Sequence, residues 1–321
     1  IGWCDWSSDV CSSDLPEFSN RIIERVAKSN LNVVESCDKL VLSRNSIEVL
    51  GMSDADANAV ATRYGGVMAY WTGEAEQFTR SSMKFRKIRL TLNKLAALCF
   101  VTDEELDDSL VNMGDRLSDK AGTAIAEELL EAVMFGNGVG KPLGAFASPA
   151  CISVAAEGGQ SPDTIVAANI AKMYMSLWAQ SYGKARWFRN QETLFQLMSM
   201  NTGGTTATSG AYPHMPVWLP PGGYAQTPNE TILGAPCAVT EHCEALGDAG
   251  DIVLGDFSQY MLATKGTIKT AMSIHLRFDY DETAFKFTYR ADGKPAWDTT
   301  LKPRKGASTF RVSPFVKIAA R

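Results

Sequence analysis

GNGVGKPLG, residues 136–144, sets a lysine behind closely spaced glycines, the composition of a loop that cradles phosphate with backbone N–H groups. The spacing departs from that motif. Three residues separate Gly136 from Gly140-Lys141 where a phosphate loop has four, and Pro142 stands where a Ser or Thr would hold magnesium. The segment also follows a helix pattern rather than a strand. It reads better as a corner: Gly136 and Gly138 end the helix, and Pro142 keeps it from resuming.

Other residues capable of chemistry are scattered. DEELDD, residues 103–108, is dense in carboxylates, which can do acid–base work. At the start of a helix the same acids complement its dipole. His214, His242 and His275 lack a Ser or Cys in the setting of a nucleophile elbow. Cys237, His242 and Cys243 could be read as metal ligands, but no second ligand pair at zinc-like spacing accompanies them. No cofactor is implied. In KFRKIRL, residues 84–90, Lys84, Arg86 and Arg89 could contact phosphates, or form the solvated face of a ribbon that meets acids on another subunit. Alternation with apolar residues favours the ribbon readings.

The first fifteen residues, IGWCDWSSDVCSSDL, carry no helix or strand period and no signal-peptide pattern. Reverse-translated, Asp5 to Leu15 resembles one frame of a widely used sequencing adapter. We therefore expect an inert artefact over 1–15, with the protein's own sequence from about Pro16. Three of the 36 acidic residues fall there, and without them the net charge of −5 becomes −2. That balance gives no electrostatic footprint for sequence-independent nucleic-acid binding. The five remaining cysteines are scattered, which suits a reducing compartment. No apolar run reaches the roughly 18 residues of a membrane helix, so no membrane partner is expected.

The elements that would position these residues make an α+β chain. A short helix is expected over 17–36, then a strand pair, Lys39–Ser43 with Ser46–Met52, around Arg44-Asn45. Val60–Trp71 and Met83–Leu95 should form a long two-stranded ribbon, its polar tip TGEAEQFTRSS carrying Glu74 and Glu76. The strongest helix starts at a Thr102/Glu105 capping box, with Leu106, Leu110, Met113, Leu117, Ala121, Ile125, Leu129 and Ala132 on one face. A break is expected near Ser109 or Gly114. A helix over Asp163–Tyr182, the strand ARWFRN, the helix ETLFQLMSM and a long loop over 201–230 follow. Strands come next at Ala238–Thr240, Asp251–Leu254 and Thr267–Ala271. A hairpin carrying Phe285, Phe287 and Tyr289 should turn at Asp292-Gly293, before a last strand, Ser313–Ile318.

This order resembles the tailed-bacteriophage major capsid protein family, with its Hong Kong 97-type fold. The matching stretches are WTGEAEQFTRSSMKF, VTDEELDDS, FGNGVGKPLG, ILGAPCAVTEH, LGDAGDIVLGDFSQYMLA, RADGKP and SPFVKI, together specific where each alone is weak. The resemblance implies an N-terminal arm (16–51), an extended β-ribbon loop (52–98) and a peripheral domain (99–160 and 271–321) built on the long spine helix. It also implies an axial domain (161–270). The implied function is an icosahedral head shell of pentamers and hexamers that encloses viral DNA without sequence-specific binding. Portal, scaffolding and decoration proteins are the implied partners, and virion and host cytoplasm the implied locations.

Some family members cross-link subunits through a Lys on the loop strand and an Asn in the peripheral domain. The corresponding positions here are Asn93, beside Lys94, and the neighbourhood of Phe287, where no Asn stands. Cross-linking is therefore not expected. The rival readings are an encapsulin-type protein cage, which shares the fold, and a soluble hydrolase or nucleotide-binding enzyme resting on Gly136–Lys141 and Asp103–Asp108.

Overall fold

A computed structural model describes residues 33–52, 66–67, 69–108, 113–200, 216–221, 230–303, 305, 307 and 309–321. The adapter-like stretch and most of the helix expected over 17–36 lie outside these residues. The chain opens with α1 (Val33–Ser36), β1 (Asp38–Val41), β2 (Ser46–Met52), β3 (Phe85–Thr91) and β4 (Asn93–Thr102). Then come α2 (Asp103–Asp108), α3 (Met113–Phe135), β5 (Ile152–Val154), α4 (Ala167–Met175), β6 (Arg186–Arg189) and α5 (Leu194–Ser199). Short strands β7 (Trp218–Leu219), β8 (Thr231–Ile232), β9 (Ala235–Val239) and β10 (Ile252–Gly255) follow. The chain closes with β11 (Tyr260–Thr264), β12 (Lys269–Arg277), β13 (Glu282–Pro295) and β14 (Phe315–Ile318).

The first sheet is organised by β13. One edge pairs antiparallel with β4 from Glu282 to Ala291; the other pairs with β12 and then β11, and β1 lies parallel to β11. Alternation along β13 puts Phe285, Phe287 and Tyr289 on one face, where Leu117, Ala121 and Ile125 of α3 cover them with Leu95 and Ala97 of β4. Complete burial of a side chain such as Phe287 stabilises the fold by about 1.5–3 kcal/mol. The expected apolar face of the long helix is thus the face that packs. Thr102 Oγ1 accepts from Glu105 N–H at 3.3 Å, one half of the capping box. Of the break expected near Ser109 or Gly114, positions 109–112 lie outside the described residues, and Gly114 lies in the first turn of α3.

Several sequence expectations are corrected here. Asp292-Gly293 is not a turn, because β13 runs straight through both residues. They pair with Ala263 and Leu262 of β11, and the Asp292 carboxylate accepts the N–H groups of Thr91 (2.7 Å) and Gly293 (2.9 Å). The reversal lies earlier, between β12 and β13, where Asp281 takes a left-handed φ of 56°. β1 and β2 form but do not pair with each other: β1 joins β11, and β2 joins β3 from Ser46↔Thr91 to Met52↔Phe85. Leu40, Leu42, Ile47 and Val49 all pack with Ile88, Leu90, Leu92, Met261 and Ala263, so one apolar cluster serves both strands. The ribbon at the loop's base is therefore β2–β3. Of the expected partner Val60–Trp71, positions 60–65 and 68 lie outside the described residues and the rest carries no strand.

The second sheet runs β5-β14-β10-β6-β9-β8-β7, with α4 and α5 contributing to its apolar core. The helix expected from Asp163 begins only at Ala167, since Asp163 sits at a φ of 54°. Within the loop expected over 201–230, the described residues include β7, which pairs with β8. An aromatic cluster joins the sheets. Phe146 meets Phe135, Phe257 and Phe315, and Phe257 meets Phe188 and Tyr260, among Leu129, Leu130, Val133 and Met134 at the end of α3.

Candidate assembly interface

The β2–β3 ribbon carries the basic residues expected at a subunit contact, and the structure separates their roles. Lys84 and Arg89 are exposed. Arg86 is instead turned onto its own subunit, donating to Asp298 at 2.9 Å and to the Ala296 carbonyl. Lys87 lies 3.6 Å from Glu48 across the ribbon. At the tip, Glu74 and Glu76 are exposed around Ala75, whose φ is 64°. Glu76 accepts the Gly73 N–H at 2.9 Å, which fixes the turn and leaves Glu74 without an ion pair among the described residues. Beside these acids, Trp71 is fully exposed and Phe78 is 79% exposed. Large apolar side chains are thus exposed on a loop that is otherwise polar.

The corner after α3 is held by backbone hydrogen bonds. Gly136 and Leu143 N–H donate to the carbonyls of Ala132 and Gly293, Gly144 to that of Gly136, and Ala145 and Phe146 to those of Val133 and Met134. Val139 N–H is taken by the Asn137 side chain. These bonds satisfy the carbonyls of Ala132, Val133 and Met134 at the end of the helix. Gly138 and Gly140 supply the positive φ. Gly136 is needed for space, since a Cβ there would lie 2.2 Å from the Pro142 carbonyl oxygen. Lys141 is exposed and Pro142 buried.

The remaining candidates are dispersed. Cys237 sits beside Arg189 and Glu230, while Cys243 belongs to the aromatic cluster; both thiols are raised by burial and stay protonated. Burial pushes Cys37 and Cys151 up to about 12. Among the described residues no three His, Cys, Asp or Glu side chains gather to hold a metal ion. Asp103 accepts the Thr283 hydroxyl, so that acid of the 103–108 run tethers α2 to β13. His275 is exposed on β12, and His214 lies outside the described residues. Phe287, near the position of the cross-linking Asn in the resemblance, is buried under α3 and offers no amide.

Two polar clusters escaped the sequence reading. His242 lies between two carboxylates of α3, Nε2 2.8 Å from Glu127 and Nδ1 2.9 Å from Glu131, tying the segment after β9 to the helix. The i, i+4 spacing of the glutamates was visible, but not the histidine over a hundred residues away. Arg189 makes a forked pair with Glu230, at 3.0 and 2.8 Å, and the Trp218 indole N–H donates to the same carboxylate.

The sequence profile described as the phage capsid family matches residues 33–305. The chain belongs to the phage capsid family. Solved structures agree on the fold. The capsid of a native GTA particle superposes with a TM-score of 0.67 at 16% identity, covering 98% of this chain and 100% of that one. The capsid of an empty GTA particle gives 0.66 at 17%, with 95% of each chain covered. A chain from Mycobacterium phage Bobi gives 0.62 at 14%, with 94% of each covered. A search of curated proteins returns no match. This phage capsid protein is a structural, shell-forming major capsid protein of the virion, and the resemblance in its sequence is borne out.

Proposed function

We propose that this capsid protein closes through pentamers and hexamers into an icosahedral head shell that encloses DNA without reading its sequence. The extended loop (52–98) acts as the assembly arm and lies on a neighbouring subunit. The observation that carries this reading is the tip itself, where Trp71 and Phe78 stand exposed beside Glu74 and Glu76 on a loop whose described strand pairing is confined to its base. The base of the loop packs on Met261 and Ala263 of its own subunit, whereas the exposed Trp71 and Phe78 of the tip have no such packing among the described residues, and a neighbour supplies it. In the same scheme residues 16–51 form an N-terminal arm, 99–160 with 271–321 a peripheral domain on α3, and 161–270 an axial domain around the symmetry axes. The Gly136–Pro142 corner then holds the peripheral domain's helix end rather than a ligand. Near-neutral charge suits a wall that contains DNA without gripping it. Assembly takes place in the host cytoplasm, with portal, scaffolding and decoration proteins as its partners.

Electron microscopy of the expressed full chain tests the proposal. Closed shells of uniform size are the expected result. A population of monomers and dimers at every protein and salt concentration sinks it.

A further inference from the structure

Four cations line one small cleft in the first sheet. Lys94 of β4, Arg290 of β13, Lys269 of β12 and Lys265, just after β11, enclose about 250 Å³ with Thr267 and Thr288. The register explains the gathering. Arg290 is the Cα partner of Lys94, Thr288 is that of Lys269, and Lys265 N–H donates to the Arg290 carbonyl at 3.1 Å. Thr288 and Arg290 alternate with Phe287 and Tyr289, so the cleft opens on the face turned away from α3. Among the described residues none of the four cations pairs with a carboxylate; Arg290 reaches only the Asn45 side-chain oxygen, at 2.9 Å. Four like charges at one mouth repel one another, and a matching anion removes that cost.

Farther along the same face of β4 stand Leu98, 54% exposed, and Phe100, whose ring carries the Arg277 guanidinium 4.4 Å from its centre. The receiving surface thus sets the exposed Leu98 beside its cations. The loop tip is its complement: Glu74 and Glu76 on a fixed turn, flanked by exposed Trp71 and Phe78. We infer that this cleft is the receptor for the loop tip of a second copy of the chain, with Glu74 and Glu76 placed among Lys94, Lys265, Lys269 and Arg290. This rests on the assembly-arm reading and assigns that arm its counter-surface. The exposed apolar side chains favour a protein occupant over a nucleic-acid backbone, whose phosphates would leave Leu98, Trp71 and Phe78 uncovered.

Charge exchange tests the pairing in the full chain. Lys265→Glu with Lys269→Glu reverses one side of the cleft outside the β4–β13 ladder, and Glu74→Lys with Glu76→Lys reverses the tip. Each pair should lower shell yield at low salt by at least about tenfold, and the four changes together should restore it, as coupled charges do in a double-mutant cycle. Thermal melting of the unassembled subunits should match the parent, and Lys94→Gln with Arg290→Gln provides a second, milder cleft variant. Parental shell yield in either reversal, or failure of the combined variant to recover, overturns the pairing and leaves the shell reading standing. A parent chain that forms no shells overturns both. Binding of a short DNA duplex that the cleft reversal abolishes, with the tip reversal still assembling normally, overturns the pairing in favour of nucleic acid.

Discussion

Gly293 lies against the ring of Tyr260 so closely that a Cβ on it would stand 2.6 Å from the phenol oxygen. Tyr260 is fully buried and its hydroxyl donates to the Leu143 carbonyl at 2.9 Å, so the ring has nowhere to go. The glycine is present for this contact and not for a turn. Gly293→Ala should destabilise the subunit by about 1–3 kcal/mol, the usual cost of overpacking. Denaturant titration of the unassembled subunit measures it, and an unchanged midpoint would show that β11 and β13 can part cheaply.

Glu230 responds to acid. Burial alone would raise its carboxyl, but the paired hydrogen bonds and charge of Arg189, with the Trp218 N–H, outweigh burial and hold it below the ordinary glutamate value. A depressed carboxyl stabilises the fold above its unfolded-state value, and that share is lost as pH falls through the folded-state value. Glu230→Gln leaves Arg189 buried without its counter-charge and should cost about 3–5 kcal/mol near neutrality. The gap between variant and parent should narrow steadily as pH is lowered towards 3 in parallel denaturation curves. A gap independent of pH contradicts the assignment.

Lys141→Ala should be silent. The nearby N–H groups of Val139, Leu143 and Gly144 are committed to the Asn137 side chain, Gly293 and Gly136, and its own side chain is exposed. The expected stability change is within about 0.5 kcal/mol, as for surface substitutions away from special features. Shells should form normally. ATP binding that disappears in this variant would restore the nucleotide reading.

Removal of the loop tip separates folding from assembly. Deleting 73–82 leaves β2, β3 and the apolar cluster beneath them untouched. The truncated chain should remain soluble and folded but form no normal shells, as sedimentation and microscopy beside the parent will show. Shells of parental size from the deletion would remove the loop from assembly. Loss of folding would place the tip in the subunit core.

Local patterns were legible where composition and period alone decided the element. α3 carries a helical period that matches its packing, β6, β10 and β14 are short runs buried on both faces, and the acids opening α2 sit where the helix dipole favours them. Partnership across long separations was not legible. β1 and β2 looked like a hairpin because they are adjacent, yet each is taken by a distant strand that shares the same apolar cluster. Asp292-Gly293 carries the strongest short hairpin signal, and Tyr260 overrides it from across the sheet. Arg86 read as a charge for a neighbour because Asp298, over two hundred residues on, gives no local sign of claiming it. At the tip the acids were visible, but the cations of the cleft we assign to them come from strands far apart in the chain.

The placement of β13 and β14 also dictates when a newly made chain can fold. Lys94 waits for Arg290, and Ile152 for Val316, so during synthesis β4, β5 and the apolar side of α3 leave the ribosome long before the strands that cover them. Pairings of such separation close slowly, and the waiting surface is prone to stick to its copies. A host making many copies at once therefore holds many half-finished chains with the same exposed face. Chains truncated before Glu282 should collect in the insoluble fraction, and slower translation should raise the soluble yield of the complete subunit.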